Sequence, residues 1–281
     1  MEATLEAFGG SILLASMIGV LLFAAVVEML LPRRTETPRL LQRWTTNIGL
    51  AFLNHYIVKG AAALATFLTA YEAQTLQFGL LNHVSAGFGV ALVITVLALD
   101  LGSYVYHRIM HAVPWLWRIH AVHHCDTEVD FTTSYRHHPV EAIISVFFAV
   151  PIVLVLGLPP LAIVAYQVLA TVINVLSHSN IGIPESLEKA FSRVLVTPDF
   201  HRLHHASERR HTDSNFGSVF PWFDYALGTA TRRPFEDHRT IELGLEYFRD
   251  PGDSRLDRLL LMPIRWRRGK DVVSGAGLDV A

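Results

Sequence analysis

Long, almost uninterrupted apolar runs dominate the hydrophobic pattern of the chain, in place of the alternation or one-sided stripes of soluble elements. Ser11–Leu31 contains one ionisable residue, Glu28, near its end. A hydrocarbon core about 30 Å thick needs roughly 20 helical residues to cross it, so this run predicts a membrane span. The first ten residues hold two Glu and neither Lys nor Arg, which is the wrong charge for a signal peptide.

Four further apolar segments predict spans, and no later stretch is long enough to add another. Pro159 and Pro160 separate the last two segments, and because proline ends one helix and readily begins the next, we expect a tight helical hairpin. The role of Lys59, inside the second segment, stays open between snorkelling and pairing with an acid. The sequence predicts an all-α integral membrane protein with about five transmembrane helices, of which the last four lie at Ile48–Ala70, Ala86–Tyr106, Val140–Leu158 and Leu161–Ser177.

The distribution of Lys and Arg predicts the orientation of these spans, because cytoplasmic connectors carry the excess of positive charge. Arginines crowd the connector after the first span, while the connector 71–85 has none. Positive charge returns after the third span and in the tail. We therefore expect the N-terminus outside and a cytoplasmic helical cap, in a bacterial inner membrane or, in a eukaryote, the endoplasmic reticulum.

The composition changes this picture in two ways. Only 17% of residues are charged, and the net charge of −2 provides no general attraction to nucleic acid. Cys125 is the only cysteine, which excludes an intrachain disulfide, a thiolate zinc finger and a Cys-ligated iron–sulfur cluster. Against this background stand fifteen histidines, and most of them fall between His107 and His211.

The histidines recur at helical spacings. An H-x-x-x-H pair lies at the end of the third span, and an H-x-x-H-H box occurs twice. Residues three and four apart share one face of a helix, so each set can point at a common ligand. Three more histidines lie between the boxes, and His55, His83 and His238 are predicted to be isolated polar residues. The pair is His107 and His111, the first box is His120, His123 and His124, the second box is His201, His204 and His205, and the histidines between them are His137, His138 and His178.

Such a set predicts metal binding, because buried imidazoles without a partner are costly. Imidazole suits iron, copper, nickel and zinc, and eight to ten ligands are too many for one ion. We favour a dinuclear iron centre that activates oxygen. A zinc-dependent membrane hydrolase or isomerase stays open, although H-E-x-x-H is absent. A metal transporter or sensor is disfavoured, because transporters place ionisable groups at mid-membrane, whereas these boxes lie at one face.

The order and surroundings of the boxes resemble the fatty acid hydroxylase superfamily, which includes sterol desaturases, sterol methyl oxidases and alkylglycerol monooxygenase. The resemblance runs from about Leu92 to Thr229. It divides the chain into an N-terminal transmembrane region (1–85), a fatty acid hydroxylase-like domain (86–230) and a cytoplasmic tail (231–281). The similar segments are Asp100–His111, Arg136–Glu141, Ser177–Asn180, Thr197–His205, Asn215–Gly217 and Trp222–Thr229.

This resemblance implies a membrane-bound oxygenase with two iron ions that hydroxylates or desaturates a lipid, such as a sterol, fatty acyl chain or ether lipid, with molecular oxygen. Some members carry a histidine where this chain has Asn174, which could hold a water or leave a ligand to His138. The implied ligands are His107, His111, His120, His123, His124, His178, His201, His204 and His205, with His138 as a tenth.

Residues around the ligands are expected to orient them, because metal-bound histidines usually donate their other N–H to a partner. The candidates are Asp100, Glu141, Asp199 and Asp224; Asp199 and Asp224 fit solvated surface charges equally well. Trp115 and Trp117 are predicted to be interfacial anchors. No glycine fingerprint for a flavin or nicotinamide is present, so we expect electrons from a separate reductase, ferredoxin or cytochrome.

Overall fold

The computed structural model describes residues 2–35, 39–54, 60–84 and 86–266, with the backbone alone for 2–10 and 60–64. Over these residues the chain forms helices and two isolated bridges but no β-strand, which confirms the all-α prediction there. Four short 3-10 turns, at Leu80–Asn82, Phe131–Tyr135, Phe235–Arg239 and Pro251–Ser254, lie between the α-helices. The α-helices are α1 Glu2–Leu30, α2 Leu40–Leu53, α3 Gly60–Thr75, α4 Phe88–Ala112, α5 Pro114–His124, α6 Pro139–Leu156, α7 Pro160–His178, α8 Glu185–Phe191, α9 Pro198–His204, α10 Arg209–Thr212, α11 Trp222–Leu227 and α12 Leu256–Leu261.

Among the residues that the structure describes, four helices are long and apolar enough to cross a membrane: α1 from Ser11 onwards, α4, α6 and α7. The helices predicted at these four places are confirmed, and the chain is a multi-pass membrane protein. Large apolar side chains such as Leu22 and Met29 on α1 are exposed, as expected of surfaces that face lipid. The second predicted span falls across α2 and α3, and His55–Lys59 lie outside the described residues, so a fifth span stays a prediction.

The predicted hairpin of α6 and α7 is present and turns at Gly157. This residue has φ +64°, a conformation that favours glycine, and a Cβ atom there would lie 2.7 Å from Asn82 Nδ2 and 2.8 Å from the Phe78 carbonyl oxygen. The turn therefore sits tightly against the connection that follows α3. Pro160 begins α7 at a position where its missing N–H costs nothing.

The helices pack around α7 and α4. Val20 and Ala24 of α1 meet Val175 of α7 in one small core. A larger core joins α4, α6 and α7 to residues that follow α8, including Phe200 of α9 and Val219. This packing brings the ends of α4, α5 and α7 together with α9 at one end of the bundle.

Buried ion pairs connect α2 to the segment that follows α5. Arg43 Nε of α2 donates to Asp126, two residues after the first box, at 2.6 Å. The Nη1 atom of the same arginine lies 3.0 Å from Asp130. Burial by itself would raise the pKa of Asp126, but the charges of Arg43 and Arg136 outweigh it and hold that pKa well below its usual range. The end of α5 is therefore held by charged groups that stay ionised.

Candidate metal centre

The histidines lie at helix ends that meet at one place. His107 and His111 occupy the last two turns of α4, the first box forms the last turn of α5, and His178 ends α7. The second box forms α9 with His205 as its C-cap. Pro114 and Pro198 begin α5 and α9 at their first turn, so these short helices start at defined residues and present each box at a fixed angle.

Five of these histidines converge on one point. In this five-histidine group each residue offers one ring nitrogen, and these five nitrogens all lie within 4.8 Å of one another. Four members are buried and His107 is partly buried. The group consists of His107, His111, His120, His124 and His204.

A second set converges beside the first and is fully buried. The rings of His124 and His205 link the two sets, stacked with their centroids 4.6 Å apart. Within the described residues, nine of the ten histidines predicted as ligands fall in these two sets. The four-histidine group consists of His123, His178, His201 and His205.

Each H-x-x-H-H box serves both groups. The first and last histidines of the first box, His120 and His124, lie in the five-histidine group, and the middle one lies in the other. In the second box the assignment is reversed, so that His204, its middle histidine, belongs to the five-histidine group. An α-helix turns about 100° per residue, so the first and last histidines of a box point in directions about 40° apart, and the middle histidine points about 60° to the other side of the first. The middle histidine of each box can therefore face a different group from the other two.

The Nε2 atoms face inward at short distances. His107 Nε2 lies 3.1 Å from His120 Nε2 and 3.0 Å from His204 Nε2. In the four-histidine group His178 Nε2 has the same place, 3.1 Å from His123 Nε2 and 3.0 Å from His201 Nε2. Each group is therefore built around one central histidine.

Hydrogen bonds fix the tautomers of the five-histidine group. His107 Nδ1 donates to the Phe216 carbonyl at 2.9 Å, and His204 Nδ1 donates to the Ser214 carbonyl at 2.6 Å. His120 Nδ1 donates to a carboxylate oxygen of Glu141 at 2.9 Å. With the proton on Nδ1, each neutral ring has an Nε2 lone pair, so three lone pairs face one another at about 3 Å.

These lone pairs fit a cation between them. A proton is a poor substitute, because burial and neighbouring imidazoles lower the pKa of His204 well below its ordinary value. Both ring nitrogens of His124 and of His205 are buried without a hydrogen-bond partner, as is His111 Nε2. Buried polar atoms are almost always paired, and a metal ion bound in each group would supply the missing partners.

Two residues that orient the histidines were missed from the sequence. His137 donates through Nδ1 to the same oxygen of Glu141 at 3.0 Å and stacks on His123 with centroids 4.2 Å apart. Asp213 Oδ1 lies 3.3 Å from His111 Nδ1. The H-H-P-x-E segment contained the signal for His137, which is four residues before Glu141.

His138 lies outside both groups. Its Nδ1 accepts from the Val140 N–H at 3.2 Å as the N-cap of α6, and its Nε2 lies 3.1 Å from the Leu260 carbonyl. Asn174 acts through its main chain, because its carbonyl accepts the His178 Nδ1 proton at 2.7 Å. Neither the histidine nor the side-chain amide completes a group in this structure.

Of the four acids expected to orient ligands, Glu141 alone contacts a histidine of the two groups. Asp100 and Asp224 instead hold the backbone of residues 216–220. Asp100 accepts from the N–H of Val219 and Phe220 at 2.9 and 3.2 Å. Asp224 accepts from the N–H of Phe216 and of the next residue at 2.8 and 2.7 Å. They act on His107 indirectly, by positioning the carbonyl to which it donates.

Asp199 pairs with arginines rather than with a ligand. Arg33 donates to it at 3.1 Å, Arg202 donates to its other oxygen, and His238 Nδ1 lies 4.0 Å away. Asp199 and Asp224 are both buried, which excludes solvated surface charge for either. His238, expected to be isolated, is also buried beside this cluster.

Comparison with known proteins agrees with the site. Residues 92–229 match the model of the fatty acid hydroxylase family. The chain is similar to human alkylglycerol monooxygenase, with 29% identity over 47% of the chain and 29% of that protein, and to the ornithine lipid hydroxylase of Rhizobium tropici, with 27% identity over 48% and 40%. Human cholesterol 25-hydroxylase is 30% identical over 58% of the chain and 56% of its own length.

The chain spans less than two thirds of the length of each of these relatives. No solved structure matches it. The matched segment begins within α4, ends just after α11 and contains all nine histidines of the two groups. The chain belongs to the fatty acid hydroxylase superfamily.

Proposed function

We propose that this protein is a membrane-bound di-iron oxygenase that hydroxylates or desaturates a lipid with molecular oxygen and electrons from a separate donor. The observation that supports it is the pair of adjoining histidine groups, with nitrogens turned inward and hydrogen-bond partners missing. One iron ion would occupy each group. When bound, the two ions supply the oxygen activation that cleavage of an unactivated C–H bond requires.

The number of imidazoles supports iron over zinc. The two groups hold five and four imidazoles, which exceeds the three protein ligands of a usual catalytic zinc.

The residues of the chain prepare the site for this chemistry. Glu141 and the Phe216 and Ser214 carbonyls keep protons on Nδ1, so that Nε2 is free to bind metal. Burial of the groups excludes water, which protects reactive species from side reactions. The surrounding helices cross the membrane, so the reacting carbon of a lipid can reach the site without leaving an apolar environment.

A lipid substrate is supported by the relatives, whose names describe activity on alkylglycerol, ornithine lipid and cholesterol. The arginines near the helix ends, among them Arg33, Arg34 and Arg43, support a cytoplasmic position for both groups. A soluble reductase, ferredoxin or cytochrome in the cytoplasm is then the electron donor we expect.

Metal analysis of the purified protein tests the proposal. We expect about two iron ions per chain and oxygen consumption that depends on lipid and reductant. His204→Ala removes a ligand whose Nδ1 is already anchored, so iron content and turnover should both fall. His83→Ala, at an exposed histidine outside the groups, is the matched control and should change neither. One zinc ion per chain, or unaltered iron in His204→Ala, would contradict the proposal.

A further inference from the structure

Trp117 lies against the five-histidine group. Its ring centroid is 4.8 Å from that of His111, 5.4 Å from that of His124 and 6.4 Å from that of His120. It is partly buried, whereas Trp115 on the same helix is 68% exposed. Trp115 thus fits the predicted interfacial anchor, and Trp117 has a different environment that membrane anchoring does not explain.

From Trp117 a row of oxidisable rings leads away from the metal site. Trp117 Nε1 donates to the Tyr247 hydroxyl at 3.0 Å. The Tyr247 ring is 5.5 Å from that of Trp266, and both of these residues are partly exposed. Indole and phenol are the side-chain rings that lose an electron most readily, so three such rings connect the five-histidine group with solvent.

This row reaches one group alone. Among the described residues, no Trp or Tyr ring contacts a histidine of the four-histidine group; its ring neighbours are other histidines. Phe216, which also packs on His107 and His111, is much harder to oxidise. The rings do pack in a core with Leu245 and Leu259, but packing requires size and not oxidisability.

We propose that Trp117, Tyr247 and Trp266 form an electron relay. It supplies electrons to the five-histidine site when oxygen has been activated there and no lipid is bound to be oxidised. The inference rests on the proposed function. The relay gives unspent oxidising equivalents a route to the surface, so that they do not oxidise the histidines themselves.

Each pass of the relay moves one electron from the surface to the site. Trp117 gives one electron to the oxidising site, and Tyr247 reduces the Trp117 radical while its phenol proton passes to solvent. Trp266 then reduces the Tyr247 radical, which regains a proton, and a soluble thiol reduces the Trp266 radical. Two passes oxidise two thiols to one disulfide, which delivers two electrons and releases two protons. These two electrons and two protons reduce the unspent oxygen atom to water.

The decisive comparison is between Trp117→Phe and Trp117→Tyr. The two variants have similar ring sizes, and only tyrosine can be oxidised by one electron under these conditions. Iron-loaded protein is given oxygen and reductant without lipid, and oxidised residues are mapped by peptide mass spectrometry. We expect Trp117→Phe to show more histidine oxidation per oxygen consumed and loss of the Trp and Tyr radical signal on rapid freezing, with Trp117→Tyr restored towards the wild type.

Trp44→Phe is the matched control. Trp44 is also partly buried and donates through Nε1, to Asp130 at 3.1 Å, but it contacts no histidine ring in the described structure. It should behave as the wild type. Equal histidine oxidation and radical yield in Trp117→Phe, Trp117→Tyr and Trp44→Phe would overturn the relay.

A measurement on metal-free protein separates the relay from the proposed function. Pulse radiolysis with azide radicals oxidises accessible indoles, and transfer to tyrosine appears as conversion of the indolyl radical to a phenoxyl radical. We expect a lower phenoxyl yield in Tyr247→Phe than in Tyr71→Phe, whose exposed ring lies outside the row. Equal yields contradict the relay, while absence of iron or of oxygen consumption contradicts the proposed function alone.

Discussion

The two histidine groups share one plan and differ in how they are supported. Each has a central histidine, His107 or His178, whose Nδ1 donates to a main-chain carbonyl and whose Nε2 faces two neighbours at 3.0 to 3.1 Å. In the five-histidine group three more rings have an Nδ1 partner, whereas in the four-histidine group the Nδ1 atoms of His123, His201 and His205 have none.

This difference indicates that the five-histidine group is organised before metal binds. Four of its five rings, all but His124, have an Nδ1 partner outside the site that favours one orientation, as expected of a well-supported metal site. The four-histidine group takes its geometry from the helices that carry it and has one ligand fewer. It should therefore depend more on each of its histidines and on the ion itself.

Removal of one ligand from each group gives the largest expected contrast. His205→Ala leaves three imidazoles with one Nδ1 anchor, so we expect loss of one iron ion per chain and of turnover. His111→Ala leaves four imidazoles, with the inward Nε2 contacts of His107 to His120 and His204 intact, and should retain both ions at lower affinity. Metal content after dialysis against a weak chelator measures this. Equal retention in the two variants would contradict the asymmetry.

Removal of an anchor sharpens the comparison. Glu141→Ala deprives His120 and His137 of their shared acceptor, and loss of such a partner costs roughly 10–100-fold in metal affinity or activity. Asn174→Ala is the matched control in the other group, because His178 donates to the main-chain carbonyl, which survives the substitution. Metal titration of both variants should show a change in the first alone.

Much of this arrangement is readable from the sequence. The apolar runs predict four of the helices, and the spacing of the boxes selects nine histidines that do converge. Proline at the first turn of α5, α6, α7 and α9 also marks where the helices next to the site begin. These are local signals, since each depends on residues a few positions apart.

The partners of the histidines are not readable in this way. Asp100 shares a helix face with His107, but seven residues correspond to about 10 Å along the axis, too far for contact. It meets residues 219 and 220 instead, more than a hundred positions away. His138 is predicted as a tenth ligand, yet its ring caps α6 and the neighbouring ring of His137 reaches Glu141. Such assignments depend on tertiary packing.

The buried carboxylates near the two boxes also differ in the direction of their pKa shifts. The carboxylate after the first box, Asp126, is paired with arginine, whereas Glu188, behind the second box, accepts a hydrogen bond from Thr197. Burial, helped by nearby Asp199, raises the pKa of Glu188 from 4.5 to about 7 against that hydrogen bond. At Glu188 the folded state then binds more protons than the unfolded state between these values, so the contribution of this residue to the free energy of unfolding falls as pH rises from 4.5 through 7.

Glu188→Gln should remove this loss. The amide mimics the protonated acid and still accepts from Thr197, so the variant should lie within about 1 kcal/mol of the wild type at pH 5 and exceed it at pH 8 by up to about 3 kcal/mol. Thermal unfolding in detergent at the two pH values measures the difference. A difference between variant and wild type that does not grow from pH 5 to pH 8, or a variant less stable than the wild type at pH 8, would contradict this assignment.

The carbonyl that anchors His107 gives the smallest expected effect. Asp224→Asn replaces one of two oxygens that accept from residues 216 and 217, and a buried N–H left unpaired costs about 1–3 kcal/mol. Asp213→Asn, at a carboxylate that is 40% exposed and 3.3 Å from His111, should change stability by at most about 1 kcal/mol. Because Phe216 contacts His107, His111 and His204, Asp224→Asn should weaken metal binding there and leave the four-histidine group intact. Equal loss of both ions would mean that the two groups are supported as one unit.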